Sequence, residues 1–194
     1  NNVAVGQAAL TVNTTASANT AVGRQSLTAC TTGGNNTAVG FTALYSTSTG
    51  DNNTAIGENA GANITTGNNN ICVGRDSAVS NATESNEIVL GNSSNDNFRC
   101  NDTSISGLSD KRDKTDVVDL PAGLSFLNSL KPVKFKWATR DGNIKDGRTR
   151  AGFLAQDLQV AQKDADYLDL VMDSNPDRLE AKYGNLIPVL VKAI

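Results

Sequence analysis

A branched aliphatic residue followed by glycine recurs along the first half of the chain: Val5 and Gly6, Val22 and Gly23, Val39 and Gly40, Ile56 and Gly57, Val73 and Gly74, Leu90 and Gly91, each pair 17 residues after the last. A fixed period of this kind marks stacked structural repeats. Three residues after each glycine stands a small residue (Ala9, Ser26, Ala43, Ala60, Ser77, Ser94). Four residues before it stands Asn2, Asn19, Asn36, Asn53 or Asn70, with Glu87 breaking the pattern in the last copy. A 17-residue coil has room for two short strands and two turns. Thr37 to Gly40 is predicted as the first strand, with Val39 inward and Gly40 opening a bend that needs positive φ or close backbone approach. Ala43 and Leu44 are expected to begin the second strand, and connectors such as Thr47 to Asn52 return the chain. Coils stacked at about 4.8 Å would form a rod roughly 25 Å long.

The pattern changes beyond the repeats. Residues 92–108 read as a polar connector with a short strand around Phe98, Arg99 and Cys100. Leu120, Leu124, Leu127 and Leu130 predict an amphipathic helix with Pro121 in its first turn and Pro132 after its end. Val133 to Trp137 alternates as a half-buried strand. Thr139 to Arg150 reads as a hairpin loop, and Ala151 to Leu158 as a strand running into a helix. A short strand is expected at Leu168 to Met172 and a turn at Asn175 and Pro176. From Lys182 the pattern is helical, with Leu186, Leu190 and Ile194 on one stripe beside Ile187 and Val191. Pro188 is tolerated in its first turns. This helix is expected to continue past Ile194 as a multi-chain stalk, making the chain a piece of something longer.

Composition separates the same two halves. Residues 1–100 hold three basic and six acidic side chains, no lysine, and three aromatics (Phe41, Tyr45, Phe98); residues 101–194 hold fourteen of each charge. A rod with so thin an apolar interior buries little surface against its conformational entropy. It is therefore expected to be marginal alone, as a homotrimer would not be, three rolls packing around one axis over Leu10, Leu27 and Leu44. A monomeric solenoid is the alternative, but no capping element is visible at Asn1. A net charge of −3 gives no reason to expect nucleic acid or membrane as partner. No run of 18 apolar residues or signal peptide is present. Cys30, Cys72 and Cys100 fit no zinc spacing, and the chain has no histidine, so no metal or other cofactor is expected. Cys72 stands where the first four repeats have Ala4, Ala21, Ala38 and Ala55, and reads as a small core residue. Free thiols are expected, with bridges between chains near the axis as the alternative.

The motifs Asn-Thr-Ala-Val-Gly at 36–40 and Asn-Asn-Thr-Ala-Ile-Gly at 52–57, each with a small residue three on, resemble the head repeats of trimeric autotransporter adhesins and of phage tail fibres. That resemblance implies a mostly β fold, a left-handed parallel β-roll with three chains side by side, over residues 1–91. A second resemblance covers about residues 107–194. It is carried by Ser-Asp-x-Arg-x-Lys from Ser109 to Lys114, Phe135-x-Trp137, Gly152-Phe153-Leu154-Ala155-Gln156, and Tyr183-x-x-Leu186-Ile187. These resemble the C-terminal intramolecular chaperone of phage endosialidases, neck appendages and tail fibres, a small α+β domain ending in a long helix. Members trimerise, guide folding of the preceding fibre and cut themselves off before the serine.

The resemblance implies a scissile bond between Leu108 and Ser109, with Ser109 as nucleophile and Lys114 as general base. A serine hydroxyl needs a base within hydrogen-bond reach, and without histidine a lysine is the natural one. A lysine ordinarily titrates near 10.4, so it serves only where burial or nearby cations lower that value toward about 7–8. Lys111 and Arg112 would add repulsion, while Asp110 and Asp113 would act the other way; Asp110 and Arg112 are candidate supporting residues. Ser109 and Asp110 equally fit a helix cap or turn start within a solvated charged run. Asp113, Val117 and Val118 depart from the residues usual in relatives. The resulting expectation is a virion tail-fibre protein, assembled in the host cytoplasm, whose C-terminal part drives trimerisation and autocleaves. Its partners would be its own copies, upstream fibre or virion proteins, and a host-surface glycan or protein. A bacterial trimeric surface adhesin with an inactive trimerisation domain is the alternative. Residues 1–100 offer neither the paired carboxylates of a glycosidase in an aromatic cleft nor, in the chain as a whole, a nucleotide-binding loop.

Overall fold

The computed structural model describes residues 1–95, 98–99, 107, 109–138 and 147–194. The chain divides into two units, Asn1–Asp96 and Asn97–Ile194.

The first unit is a parallel β-solenoid of about five turns. Six three-residue strands, β1 (Val3–Val5), β2 (Thr20–Val22), β3 (Thr37–Val39), β4 (Thr54–Ile56), β5 (Ile71–Val73) and β6 (Ile88–Leu90), form one sheet in sequential order. Every pairing is parallel and offset by one repeat: Ala21 faces Ala38, Ala38 faces Ala55, and Ala55 faces Cys72. Equal repeat length keeps like residues in columns, so one chemical choice is made once and stacked.

Three expectations about the coil are corrected. The second strand does not form: Ala43 and Leu44 lie in a turn, and Leu44, like Leu10 and Leu27, has φ near +50°. Its backbone is held by rungs between coils instead, Leu27 N donating to Ala43 O at 3.0 Å and Leu44 N to Ala60 O at 3.0 Å. The side chain before each glycine points out rather than in. Val39 is 37% exposed and Ile56 45%, while Ala21, Ala38, Ala55 and Cys72 are fully buried. The interior at the sheet is narrow enough to take only the smallest side chain of each strand. Leu27 and Leu44 are fully buried inside their own coils and Leu10 nearly so, so they are not free to face sister chains.

The core compensates for size along its columns. Leu10, Leu27 and Leu44 occupy one column and Cys30 and Thr47 the slot three residues on, whereas in the next coil Gly61 takes the leucine slot and Ile64 the neighbouring one. A Cβ on Gly61 would stand 2.9 Å from Leu44 Cδ2 and 3.2 Å from Ile64 Cδ1, so the glycine makes room for the isoleucine. At Gly40, φ is +140° and an added Cβ would lie 2.3 Å from Gly57 O, which satisfies both reasons expected for a glycine there. Ser26 and Ser77, three residues after their glycines, are buried and donate back to Gly23 O and Gly74 O at 3.0 and 2.9 Å.

The asparagines of the repeat are structural rungs rather than solvated edges. Asn36 N donates to Asn19 Oδ1, Asn53 N to Asn36 Oδ1 and Asn70 N to Asn53 Oδ1, at 2.8–3.0 Å. Each Nδ2 reaches a backbone carbonyl fourteen residues on: Gly33 O, Gly50 O, Gly67 O and Glu84 O from Asn19, Asn36, Asn53 and Asn70. All four side chains are buried. Glu87 N ends the ladder by donating to Asn70 Oδ1 at 2.9 Å, but its carboxylate accepts from Ser80 N and Ser80 Oγ. The glutamate thus closes the run.

The second unit is a small α+β region. Helix α1 (Leu124–Ser129) is shorter than the predicted span and begins after Pro121, with Gly123 as its N-cap. Strands β7 (Val133–Lys136) and β8 (Thr149–Gly152) pair antiparallel, and α2 (Ala155–Ala161) follows directly. Of the intervening loop, residues 139–146 lie outside the described residues, and Thr149 and Arg150 already belong to β8. Strands β9 (Val171–Met172) and β10 (Glu180–Ala181) pair across the turn at Asn175 and Pro176. A 3₁₀ turn, Tyr183–Leu186, leads into α3 (Ile187–Ala193). Ala122, Leu158, Leu168, Leu170, Val171, Leu186 and Val189 form the core. The apolar stripe predicted on α3 is therefore split. Val189 and Leu186 face inward, while Ile187, Leu190, Val191 and Ile194 are exposed. Of the strand expected near residue 98, Phe98 and Arg99 have no regular structure and Cys100 lies outside the described residues.

Candidate functional site

The charged run after residue 108 is a turn built by its own second residue. Asp110 is extended (φ −66°, ψ 134°) and caps a single 3₁₀ turn, Lys111–Asp113, by accepting from Arg112 N at 2.9 Å. Short polar side chains favour this position because they satisfy a backbone N–H that the turn leaves open. Asp113 N donates to Asp110 O at 3.1 Å and Lys114 N to Lys111 O at 3.3 Å, which closes the turn at its far end.

The turn brings Ser109 and Lys114 together. Lys114 Nζ donates to Ser109 Oγ at 2.7 Å. Both residues are exposed in the single chain. A neutral amine at this distance would turn a lone pair toward the hydroxyl, which is the geometry a general base needs. Leu108, the other side of the expected scissile bond, lies outside the described residues.

Asp110 and Arg112, read from sequence as opposing influences on the lysine, are joined to each other. Arg112 Nε lies 3.0 Å from Asp110 Oδ1 and Nη2 lies 2.6 Å from Oδ2, a two-pronged pair. The guanidinium beside Asp110, and the N–H of Arg112, hold its carboxyl below the usual carboxylate range. Reciprocally, the carboxylate raises Arg112. Asp110 is thus a cap, as the plainer reading of the motif allows, and a charge partner at once.

Two other motifs meet in the same unit. Tyr183 Oη accepts from Phe153 N at 3.1 Å and donates to Phe153 O at 3.2 Å, with the two rings edge-to-face at 5.7 Å. A Cβ on Gly152 would lie 2.9 Å from Tyr183 Oη, so this glycine leaves space for the hydroxyl. Phe135 and Trp137 pack edge-to-face at 5.3 Å. An apolar groove of about 580 Å³, lined by Leu127, Leu130, Phe153, Tyr183, Leu186 and Leu190, opens at the Phe153–Tyr183 contact. No signal in the sequence marked Tyr183 as the partner of Phe153, because the two are thirty residues apart. Val189 was missed for a simpler reason: its inward position follows from how α3 packs against α1.

Among the described residues, no group of three or more acidic, cysteine or histidine side chains is placed to hold a metal. No helix among them is long and apolar enough to cross a membrane. Cys30 and Cys72 are free and buried.

Searches of curated proteins and of solved structures each return no match to this chain. A family model described as chaperone of endosialidase matches residues 109–167, beginning at the serine of the Ser109–Lys114 contact. That segment is therefore similar to the endosialidase chaperones, and it is preceded by a parallel β-solenoid of 17-residue coils.

Proposed function

We propose that this chain is a structural fibre protein of a phage tail or appendage. In this reading residues 1–91 form the shaft, 92–108 a connector, and 109–194 a unit that brings three chains together, guides their folding and then cuts the Leu108–Ser109 bond. The observation that carries the proposal is the Ser109–Lys114 contact at 2.7 Å, inside a segment similar to endosialidase chaperones.

The chemistry follows from the position of the serine. Ser109 is on the C-terminal side of the bond to be cut, so its Oγ attacks the carbonyl carbon immediately before its own nitrogen. An Oγ–C bond forms, the C–N bond breaks, and the proton passes from Oγ to Lys114 Nζ and on to the departing Ser109 nitrogen. Water then hydrolyses the resulting ester, leaving a carboxylate on Leu108 and a free hydroxyl on Ser109. The base must be neutral for the first step, and taking a lysine out of water favours its neutral form. Both partners are exposed in one chain, so packing of sister chains around the turn supplies that condition and delays the cut until assembly.

Exposed apolar surface supports assembly in both units. A parallel sheet ordinarily has both faces covered. Here the outer face of β1–β6 presents Val5, Val39, Ile56, Val73 and Leu90 to solvent. On α3, Ile187, Leu190 and Val191 are likewise uncovered. Sister chains placed over these surfaces would take a large apolar area out of water. The fibre would function in the virion after assembly in the host cytoplasm, with upstream virion proteins and a host-surface glycan or protein as partners.

The test is denaturing electrophoresis of folded wild-type protein beside Ser109→Ala and Lys114→Ala. Wild type should yield two fragments and each variant one full-length band. Equal cleavage in all three would overturn the reading.

A further inference from the structure

We infer that Asp110 and Arg112 form a positioning clamp for self-cleavage, an inference that rests on reading Ser109 and Lys114 as the cutting pair. Neither residue touches the reacting atoms. Their effect is to hold the turn that delivers the lysine.

Lys114 carries its amine at the end of a flexible four-carbon stem, and an exposed lysine samples many rotamers. Contact with Ser109 Oγ therefore depends on where the Lys114 backbone is held. That backbone is fixed by a single 3₁₀ turn, and one isolated turn is intrinsically unstable because few hydrogen bonds offset the ordering of its residues. Asp110 supplies the missing restraint twice. Its Oδ1 accepts from Arg112 N at 2.9 Å, and its two oxygens take the guanidinium fork at 3.0 and 2.6 Å. An exposed ion pair alone contributes little. This one differs because the same carboxylate also caps the backbone, and because it sits in sequence between the two residues to be joined. The clamp also keeps the guanidinium occupied within the turn, leaving the Lys114 amine to the serine.

The clamp makes an ordered prediction for cleavage by folded protein. Asp110→Asn retains an oxygen for the Arg112 N–H but loses the ion pair, and Arg112→Ala loses the ion pair while keeping the cap, so both should be slowed to a similar, modest degree. Asp110→Ala loses both restraints and should be slowed by about tenfold or more, as expected when a catalytic group is displaced from its reacting geometry. Recovery from Asp110→Ala to Asp110→Asn is the diagnostic result, measured alongside oligomer mass and melting temperature, which should match wild type in every variant. Wild-type rates in Asp110→Ala, with Ser109→Ala and Lys114→Ala still blocked, would sink the clamp and leave the cutting pair standing. A slowed Asp110→Ala that also loses its assembly would overturn it too, since the effect would then be on folding. Cleavage in Ser109→Ala, or none in wild type, would remove the pair and the clamp together.

Discussion

Asn53 shows how much of this molecule is decided by single side chains. Its Oδ1 accepts from Asn70 N, and its Nδ2 donates to Gly67 O, with the side chain fully buried. Replacing it with alanine would orphan one buried donor and one buried acceptor, each costing about 1–3 kcal/mol when left unpaired. Asn53→Ala should therefore destabilise the roll by about 3 kcal/mol in chemical denaturation. An exposed residue outside the positive-φ positions, such as Thr66, changed in the same way, should stay within about 0.5 kcal/mol. Equal effects would show that the ladder is not a principal support. The spacing of these asparagines is plain in the sequence, but their burial is not. A polar residue repeated at a turn looks the same whether it faces solvent or satisfies the next coil. The meeting of Ser109 and Lys114 was legible for the opposite reason, since the two lie five residues apart and one local turn brings them to 2.7 Å.

The elements follow from two rules of unequal visibility. Strand positions β1–β6 are evident from the repeat, because a fixed period forces like residues into register. Which side of each strand faces inward is a matter of interior width: alanine and Cys72 fill the core, and valine is turned out. The leucine turn could not be read as a turn, because φ near +50° at Leu27 and Leu44 is uncommon for such residues and is held by hydrogen bonds from neighbouring coils. The second unit was better displayed where polarity alternates, as in β7, than at α1, which begins only after Gly123. Burial also leaves a mark on pH dependence. Desolvation, followed by the nearby Glu87 carboxylate, pushes the Cys72 thiol up to about 11. An unfolded thiol ionises from about pH 8.5. Because the folded value is the higher one, its contribution is complete below the unfolded value and is lost as pH rises toward the folded value. Burial raises the Cys30 thiol as well. Melting temperature should therefore decline between about pH 8.5 and 11, and Cys72→Ala, which restores the residue found in that slot in earlier coils, should reduce the decline. An unchanged alkaline profile in that variant would contradict this assignment.

At the scale of the whole molecule, both units leave apolar surface uncovered. The roll has its own core of alanine, leucine and buried asparagine, so Leu27 and Leu44 are not what sister chains would cover. In the proposed trimer the outward column of Val39, Ile56 and Val73, exposed in the single chain, would be the surface covered. A charge placed there, as in Ile56→Glu, would be costly between packed chains and nearly neutral on a free surface. The proposed association of three copies is open to sedimentation equilibrium of the folded Ser109→Ala protein, because uncut chains give one species to weigh. The expected mass is three times the 20.2 kDa of one chain, lowered toward a single chain by Ile56→Glu. A well-folded parent protein sedimenting as one 20.2 kDa chain would contradict it.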